Sequence, residues 1–168
     1  DRKPVYFTTC HGDFNKTVAN QIGVGLGALN EPVVFVIKKN KNTFDNLIAW
    51  LQNQNRHNLQ DYPMLLIDDE ADHASINTNK EDLDPTTINK LIRELLTLFY
   101  KSSYVGYTAT PFANVFIDPD TDDEMLGDDL FPKDFIISLD PPTNYFGPEK
   151  IFSENGIPGI IRQITDHG

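Results

Sequence analysis

Cysteine is nearly absent from this chain, with Cys10 the only one. A single thiol can make neither an internal disulfide nor a cysteine-rich zinc site, and a lone thiol is best kept in a reducing compartment, so the expected location is cytoplasmic. Long apolar runs are missing as well. No window approaches the roughly 18–20 apolar residues of a membrane-spanning helix, so no membrane partner is expected. Positive charge is scarce: 14 Lys and Arg face 25 Asp and Glu, for a formal charge of -11. That balance argues against a broad basic face coating nucleic acid, while leaving room for a local basic track. Asp118 to Asp134 is crowded with Asp, with only Lys133 to balance it, so nucleic acid would have to bind elsewhere. His11, His57, His73 and His167 are scattered without zinc spacing or a Ser-His-Asp order, and no Asp plus Glu-x-Lys nuclease core stands out. There is no internal repeat.

What is present suits one core. The 168 residues are 39% hydrophobic and 11% aromatic, enough to bury an ordinary domain interior. The chain opens at Asp1 without Met or a secretory signal and ends at Gly168 without a closing helix, the expectation for a piece of something longer. Val33 to Ile37, Met64 to Ile67 and Tyr104 to Tyr107 read as buried strands, with weaker candidates at Val5 to Thr8 and Phe135 to Leu139. Between the first two, Thr43 is placed to cap a helix reaching about Gln54, with Phe44, Leu47, Ile48 and Leu51 on one face. Asp84-Pro85 with Thr86 and Thr87 predicts a second helix to about Lys101, burying Ile88, Leu91, Ile92, Leu95, Leu98 and Phe99. Strand alternating with helix predicts an α/β fold with a parallel sheet. The expected division is a domain over residues 1–140 and a Pro- and Gly-rich linking segment over 141–168.

Parallel sheets place their ligands at the carboxyl ends of the strands. Those ends carry Lys38-Lys39-Asn40, then Asp68 to Asp72, then Thr108-Ala109-Thr110-Pro111. An apolar strand ending in adjacent carboxylates answers two needs of NTP hydrolysis, an oxygen ligand for magnesium and a base for the attacking water. Asp69 suits the first and Glu70 the second. Acids that simply follow a strand into solvent are the plain alternative for such a pair, but the long loop from His73 to Leu83 and the helix after it make the pattern more specific. Thr108 lies 39 positions beyond Asp69, room for one crossover helix, and hydroxyls at Thr108 and Thr110 can hydrogen-bond Asp72 and couple the site to motion. Lys38, Lys39 and Asn40 read equally as a phosphate-contacting turn or a solvated basic one.

A phosphate-binding loop is not legible. Cys10 to Thr17 ends in Lys-Thr, but Cys10 and Asn15 occupy both glycine positions, and no Lys follows Gly23, Gly25 and Gly27. The phosphate-binding half is therefore expected upstream of Asp1, and the isolated chain is expected to be inactive. Asp118, Asp120, Asp122 and Asp129 have calcium-loop spacing, yet Asp123 replaces the turn glycine, so a solvated acidic loop is the better reading. Phe112, Phe116, Tyr145 and Phe146 are candidates for an apolar docking patch, with ordinary packing as the alternative.

Leu66-Ile67-Asp68-Asp69-Glu70-Ala71-Asp72 together with Thr108-Ala109-Thr110-Pro111 resembles motifs two and three of superfamily two helicases. The longer strings running on through Asp72-His73-Ala74-Ser75-Ile76-Asn77-Thr78, from Tyr104-Val105-Gly106-Tyr107 to Pro111-Phe112-Ala113-Asn114, and over Asn144-Tyr145-Phe146-Gly147-Pro148-Glu149 resemble the Z-one domain of bacterial ATP-dependent endonucleases. The resemblance covers about Pro32 to Phe152. It implies a partial RecA-like core using ATP and magnesium, within a larger protein acting on DNA in restriction or phage defence and docking against the remaining domains of that protein. Two other readings stay open. One is a non-catalytic interaction domain with the same sheet; the other is a metal-dependent nuclease using Asp68, Asp69 and Asp72.

Overall fold

A computed structural model of the chain describes residues 3–8, 12–14, 25–55, 59–73, 75–76, 86–117, 122–123, 127–153, 156–159 and 161. Helix propensity and apolar spacing act together in α1 (Lys41–Asn55). Its Phe44, Leu47, Ile48, Trp50 and Leu51 are all buried, because positions three and four apart share one face of a helix. Asn40, rather than Thr43, caps it: Asn40 Oδ1 accepts the Thr43 N–H at 2.9 Å. The Thr43 hydroxyl instead donates to Asp13 Oδ2 at 3.2 Å, and Asp13 also accepts the Lys38 N–H at 3.2 Å. One carboxylate thus ties the start of α1 to the segment before it.

Trp50 is only 1% exposed and is ringed by aromatic side chains. Phe7 lies 5.2 Å, Phe14 5.8 Å and Phe35 6.0 Å from it between ring centroids, at the separations and tilts that aromatic quadrupoles favour. These rings bring together β1 (Val5–Tyr6), β2 (Val33–Val34) and α1. β1 and β2 pair in parallel, but the ladder is shorter than the apolar run 33–37. After Tyr6↔Val34 the next bond is made by a side chain, the Val36 N–H donating to Thr8 Oγ1 at 2.9 Å.

The longest pairing joins β3 (Pro63–Asp69) to β4 (Lys101–Tyr107), parallel along all seven residues of each. Between them α2 (Thr87–Thr97) makes the crossover and buries Leu91, Ile92 and Leu95. α2 stops short of the expected Lys101, because residues 101–103 find hydrogen-bond partners in β3 and so belong to the strand despite their polar side chains. Asp84-Pro85, expected at the start of α2, lies outside the described residues.

Side chains alternate along β3. Met64 and Leu66 pack on the core with Tyr104 of β4, while Leu65 and Ile67 are 61% and 62% exposed on the opposite face. The expectation of a buried strand therefore holds for one face of β3 only. Among the described residues the sheets are two parallel pairs, β1–β2 and β3–β4, and one short antiparallel pair, β5 (Asp122–Asp123) with β6 (Gly127–Asp128). The class is α/β. No helix of the described residues is long and apolar enough to cross a membrane.

A one-turn helix α3 (Phe112–Val115) follows β4, with Phe112 and Phe116 exposed. The chain divides into compact units at residues 1–134 and 135–168. Phe135 to Leu139, expected as a strand, is irregular and exposed. Its composition favours pleated structure, but strand pairing is non-local, and the described residues of the second unit contain no partner strand. That unit holds α4 (Pro148–Phe152), with Pro148 in its first turn. Lys150 Nζ donates to the Tyr145 carbonyl at 2.7 Å, and Tyr145 and Phe146 are both exposed.

The contrast between Trp50 and Leu65 gives a stability test. In urea unfolding, Trp50→Ala is expected to cost about 3–5 kcal/mol, as for a fully enclosed aromatic, whereas Leu65→Ala is expected to cost less than about 1 kcal/mol, because its side chain leaves little water-free contact behind.

Candidate functional site

Pleating decides the fate of the acidic residues at the end of β3. Asp68 continues the inward series of Met64 and Leu66 and is 4% exposed, whereas its neighbour Asp69 faces outward and is exposed. A buried carboxylate needs partners, and Asp68 has three. Lys39 Nζ lies 2.9 Å from Oδ1, and Oδ2 accepts the Ser75 hydroxyl at 2.6 Å and the Tyr104 hydroxyl at 2.8 Å. Burial, and then the bond to the Asp68 carboxylate, push the Tyr104 phenol far above the ordinary tyrosine range, so it serves as a neutral donor. Ser75 is in turn fixed by Asn89, fully buried on α2, whose Nδ2 donates to the Ser75 carbonyl at 2.9 Å and to Asp129 Oδ1 at 2.8 Å.

Beyond Asp69 the backbone turns sharply. Glu70 has φ +53°, the one non-glycine residue in the left-handed region among those described, a conformation costing an L-residue about 1–2 kcal/mol. Its surroundings hold it there. The Glu70 N–H donates to Asp69 Oδ1 at 3.2 Å. The Glu70 carbonyl accepts the His73 N–H at 2.9 Å and Lys39 Nζ at 2.6 Å. The Ala71 N–H donates to the Tyr107 carbonyl at 2.9 Å, extending the β3–β4 ladder by one bond. Ala71 is buried against Gly106, where a Cβ would come within 2.9 Å of Ala71 Cβ. Only glycine lets the strand and the loop approach this closely.

Asp72 meets the loop after β4. Thr108 Oγ1 donates to Asp72 Oδ1 at 2.6 Å and Thr110 Oγ1 to Oδ2 at 2.5 Å, while the Thr110 N–H donates back to Thr108 Oγ1 at 2.9 Å. The Thr108 bond first, then that of Thr110, hold the Asp72 carboxyl below the usual aspartate range. Ala109 is exposed between them. Asn114 on α3 closes the arrangement, Nδ2 donating to the Ala71 carbonyl at 3.2 Å.

Asp69 and Glu70 are the carboxylates expected to act. Asp69 and Glu70 are exposed, and among the described residues no side chain bonds the Glu70 carboxylate. Asp68 and Asp72, on either side, are both engaged. The basic turn divides differently from expectation. Lys38 is exposed, and Asn40 is occupied as the helix cap. Lys39 spends its charge inside the acidic loop, with Asp68, the Glu70 carbonyl and the His73 carbonyl at 3.0 Å about its ammonium. His73 is exposed. Cys10, Lys16, Thr17, Gly23, His57, His167, Asp118 and Asp120 lie outside the described residues, as does the side chain of Asp122.

No family model, curated protein or solved structure matches the chain. The geometry therefore carries the functional argument by itself. Sequence reading missed Ser75, Tyr104 and Asn89 as supports of the loop. The period-two alternation of residues 64, 66 and 68 was the available signal, since it turns Asp68 inward and demands donors.

The folded state lowers the Asp72 pKa, so its bonds to Thr108 and Thr110 contribute stability above the unfolded aspartate value of about 3.9 and lose it as pH falls through the lower folded value. Replacing both hydroxyls, in Thr108→Val with Thr110→Val, is expected to move the Asp72 titration upward toward that ordinary value, read from the side-chain carboxyl signal by NMR. An unmoved titration would mean that the two hydroxyls do not set it.

Proposed function

We propose that this chain is the hydrolytic half of a partial RecA-like ATPase core, in a nucleic-acid-dependent motor of a restriction or phage-defence endonuclease. The observation that carries this reading is the exposure of Asp69 and Glu70 between two engaged acids. At the carboxyl end of two parallel strands, where α/β folds receive ligands, the fold ties down the acids on either side and leaves these two exposed.

The donor set suits magnesium. Asp69 offers hard carboxylate oxygens engaged, among the described residues, only by the adjacent Glu70 N–H, and a hard cation that retains much of its water is held by one or two such groups. Bound there with ATP, magnesium would supply charge neutralisation on the phosphates. Glu70 projects from a turn fixed on three sides, so its carboxylate is aimed without the loss of loop entropy on binding. Its part is to orient the attacking water and accept its proton. Asp72, Thr108 and Thr110 form a bridge between the loops after β3 and β4, through which a change at the nucleotide reaches the neighbouring strand. The phosphate-binding half is expected from outside these residues, and DNA is the expected effector.

A nuclease built on Asp68, Asp69 and Asp72 finds less support. Asp68 and Asp69 point to opposite faces of β3, and among the described residues no three His, Cys, Asp or Glu side chains gather to hold a metal ion.

In the intact protein, Glu70→Gln is expected to lower DNA-stimulated ATP turnover by roughly 100-fold or more while leaving nucleotide binding close to wild type, the range for loss of a general base. Single-turnover hydrolysis with parallel nucleotide titration checks it, and unchanged turnover would sink the assignment.

A further inference from the structure

Lys39 places its ammonium among the acids of the loop, and its geometry fits a task other than neutralisation. An ammonium has three protons arranged as a tripod. The three shortest contacts of Nζ are the Glu70 carbonyl at 2.6 Å, Asp68 Oδ1 at 2.9 Å and the His73 carbonyl at 3.0 Å. Ser75 Oγ, which donates its own proton to Asp68, accepts a fourth and longer contact from Nζ at 3.3 Å. Two of the three acceptors are backbone carbonyls of the loop that carries Glu70, and one belongs to Glu70 itself. They come from residues 31 and 34 positions further along the chain, so nothing local in the sequence makes this contact.

We propose that Lys39 is a positioning residue for the Glu70 carboxylate: anchored on buried Asp68, its ammonium grips the Glu70 and His73 carbonyls and fixes the left-handed turn from which Glu70 projects. This inference rests on the hydrolytic reading of Glu70. The Glu70 carbonyl receives two donors, Lys39 Nζ and the His73 N–H, and these offset the strain of φ +53°. Arginine cannot replace lysine here. Its planar fork suits two parallel acceptors on one group, whereas these three converge from a side chain and two separate peptides.

The test separates positioning from mere charge balance. Lys39→Met alone strands a buried carboxylate and so destabilises the fold, and the informative protein is Lys39→Met with Asp68→Asn, in which the unpaired charge is gone. Lys39→Arg keeps the charge and loses the tripod. In the intact protein, both are expected to retain the wild-type unfolding midpoint within a few degrees while kcat for ATP falls roughly 10–100-fold, the scale of a misplaced catalytic group, with KM little changed. Hydrogen exchange at the Ala71 and His73 amides is expected to quicken about tenfold in both, as a charged hydrogen bond to the turn is lost. Wild-type kcat and wild-type exchange in the double variant would overturn the proposal and leave Lys39 as a neutralising ion. If the wild-type protein hydrolyses no nucleoside triphosphate, the hydrolytic reading fails instead, and the exchange rates alone decide whether Lys39 holds the turn.

Discussion

A carboxylate facing the interior is the constraint on which this site depends. The pleat that sends Met64 and Leu66 into the core sends Asp68 after them, and a buried anion must be met by donors or the strand cannot end where it does. Lys39, Ser75 and Tyr104 meet it. Each comes from a different part of the chain: the turn before α1, the loop after β3, and β4. Satisfying one charge therefore clamps three segments around the point where Asp69 and Glu70 emerge. Breaking a buried pair on one side costs about 3–5 kcal/mol, whereas an apolar replacement of both partners is often neutral. Stability is thus a weak reason for such a pair, and the positions it imposes are the stronger one.

Two further contacts turn that clamp into a shaped site. Gly106 admits Ala71 at a distance that a side chain would forbid, which seats the loop directly on β4. The Asp72 bonds to Thr108 and Thr110 then join the two strand ends a second time. Between these anchors lies Glu70, in a backbone conformation that its own residue type disfavours. Strain of this kind persists where the surroundings over-determine it, and it is common at sites where a side chain must be aimed. Rigid strands hold the loop, the loop holds the turn, and the turn directs the carboxylate.

Much of this was legible in the residues and some of it was not, for physical reasons. The faces of α1 and α2 follow from helical spacing, so Phe44, Leu47, Ile48, Leu91, Ile92 and Leu95 were found in advance. The meeting of Asp72 with Thr108 and Thr110 followed from one crossover between neighbouring strands. What escaped was decided by competition or by distance. Asn40 and Thr43 are both good caps, and only the backbone path shows that Asn40 is in reach. Phe135 to Leu139 has strand composition, but composition cannot supply a partner to pair with. Ser102 and Ser103 look like loop residues until β3 fixes their register. Lys39 read equally as a phosphate contact or a solvated turn residue, because the Glu70 and His73 carbonyls it meets lie 31 and 34 positions away, on backbone groups that every residue possesses.

The central claim is that this clamp presents Asp69 and Glu70, and not their neighbours, to a nucleotide-bound magnesium ion. Paramagnetic relaxation by manganese tests it most directly, with the intact protein, a non-hydrolysable ATP analogue and the metal in place of magnesium. The account predicts that signal broadening centres on Asp69 and Glu70 and appears only when nucleotide is present. Broadening centred on the acidic segment 118–134, with Asp69 and Glu70 left sharp, would contradict it.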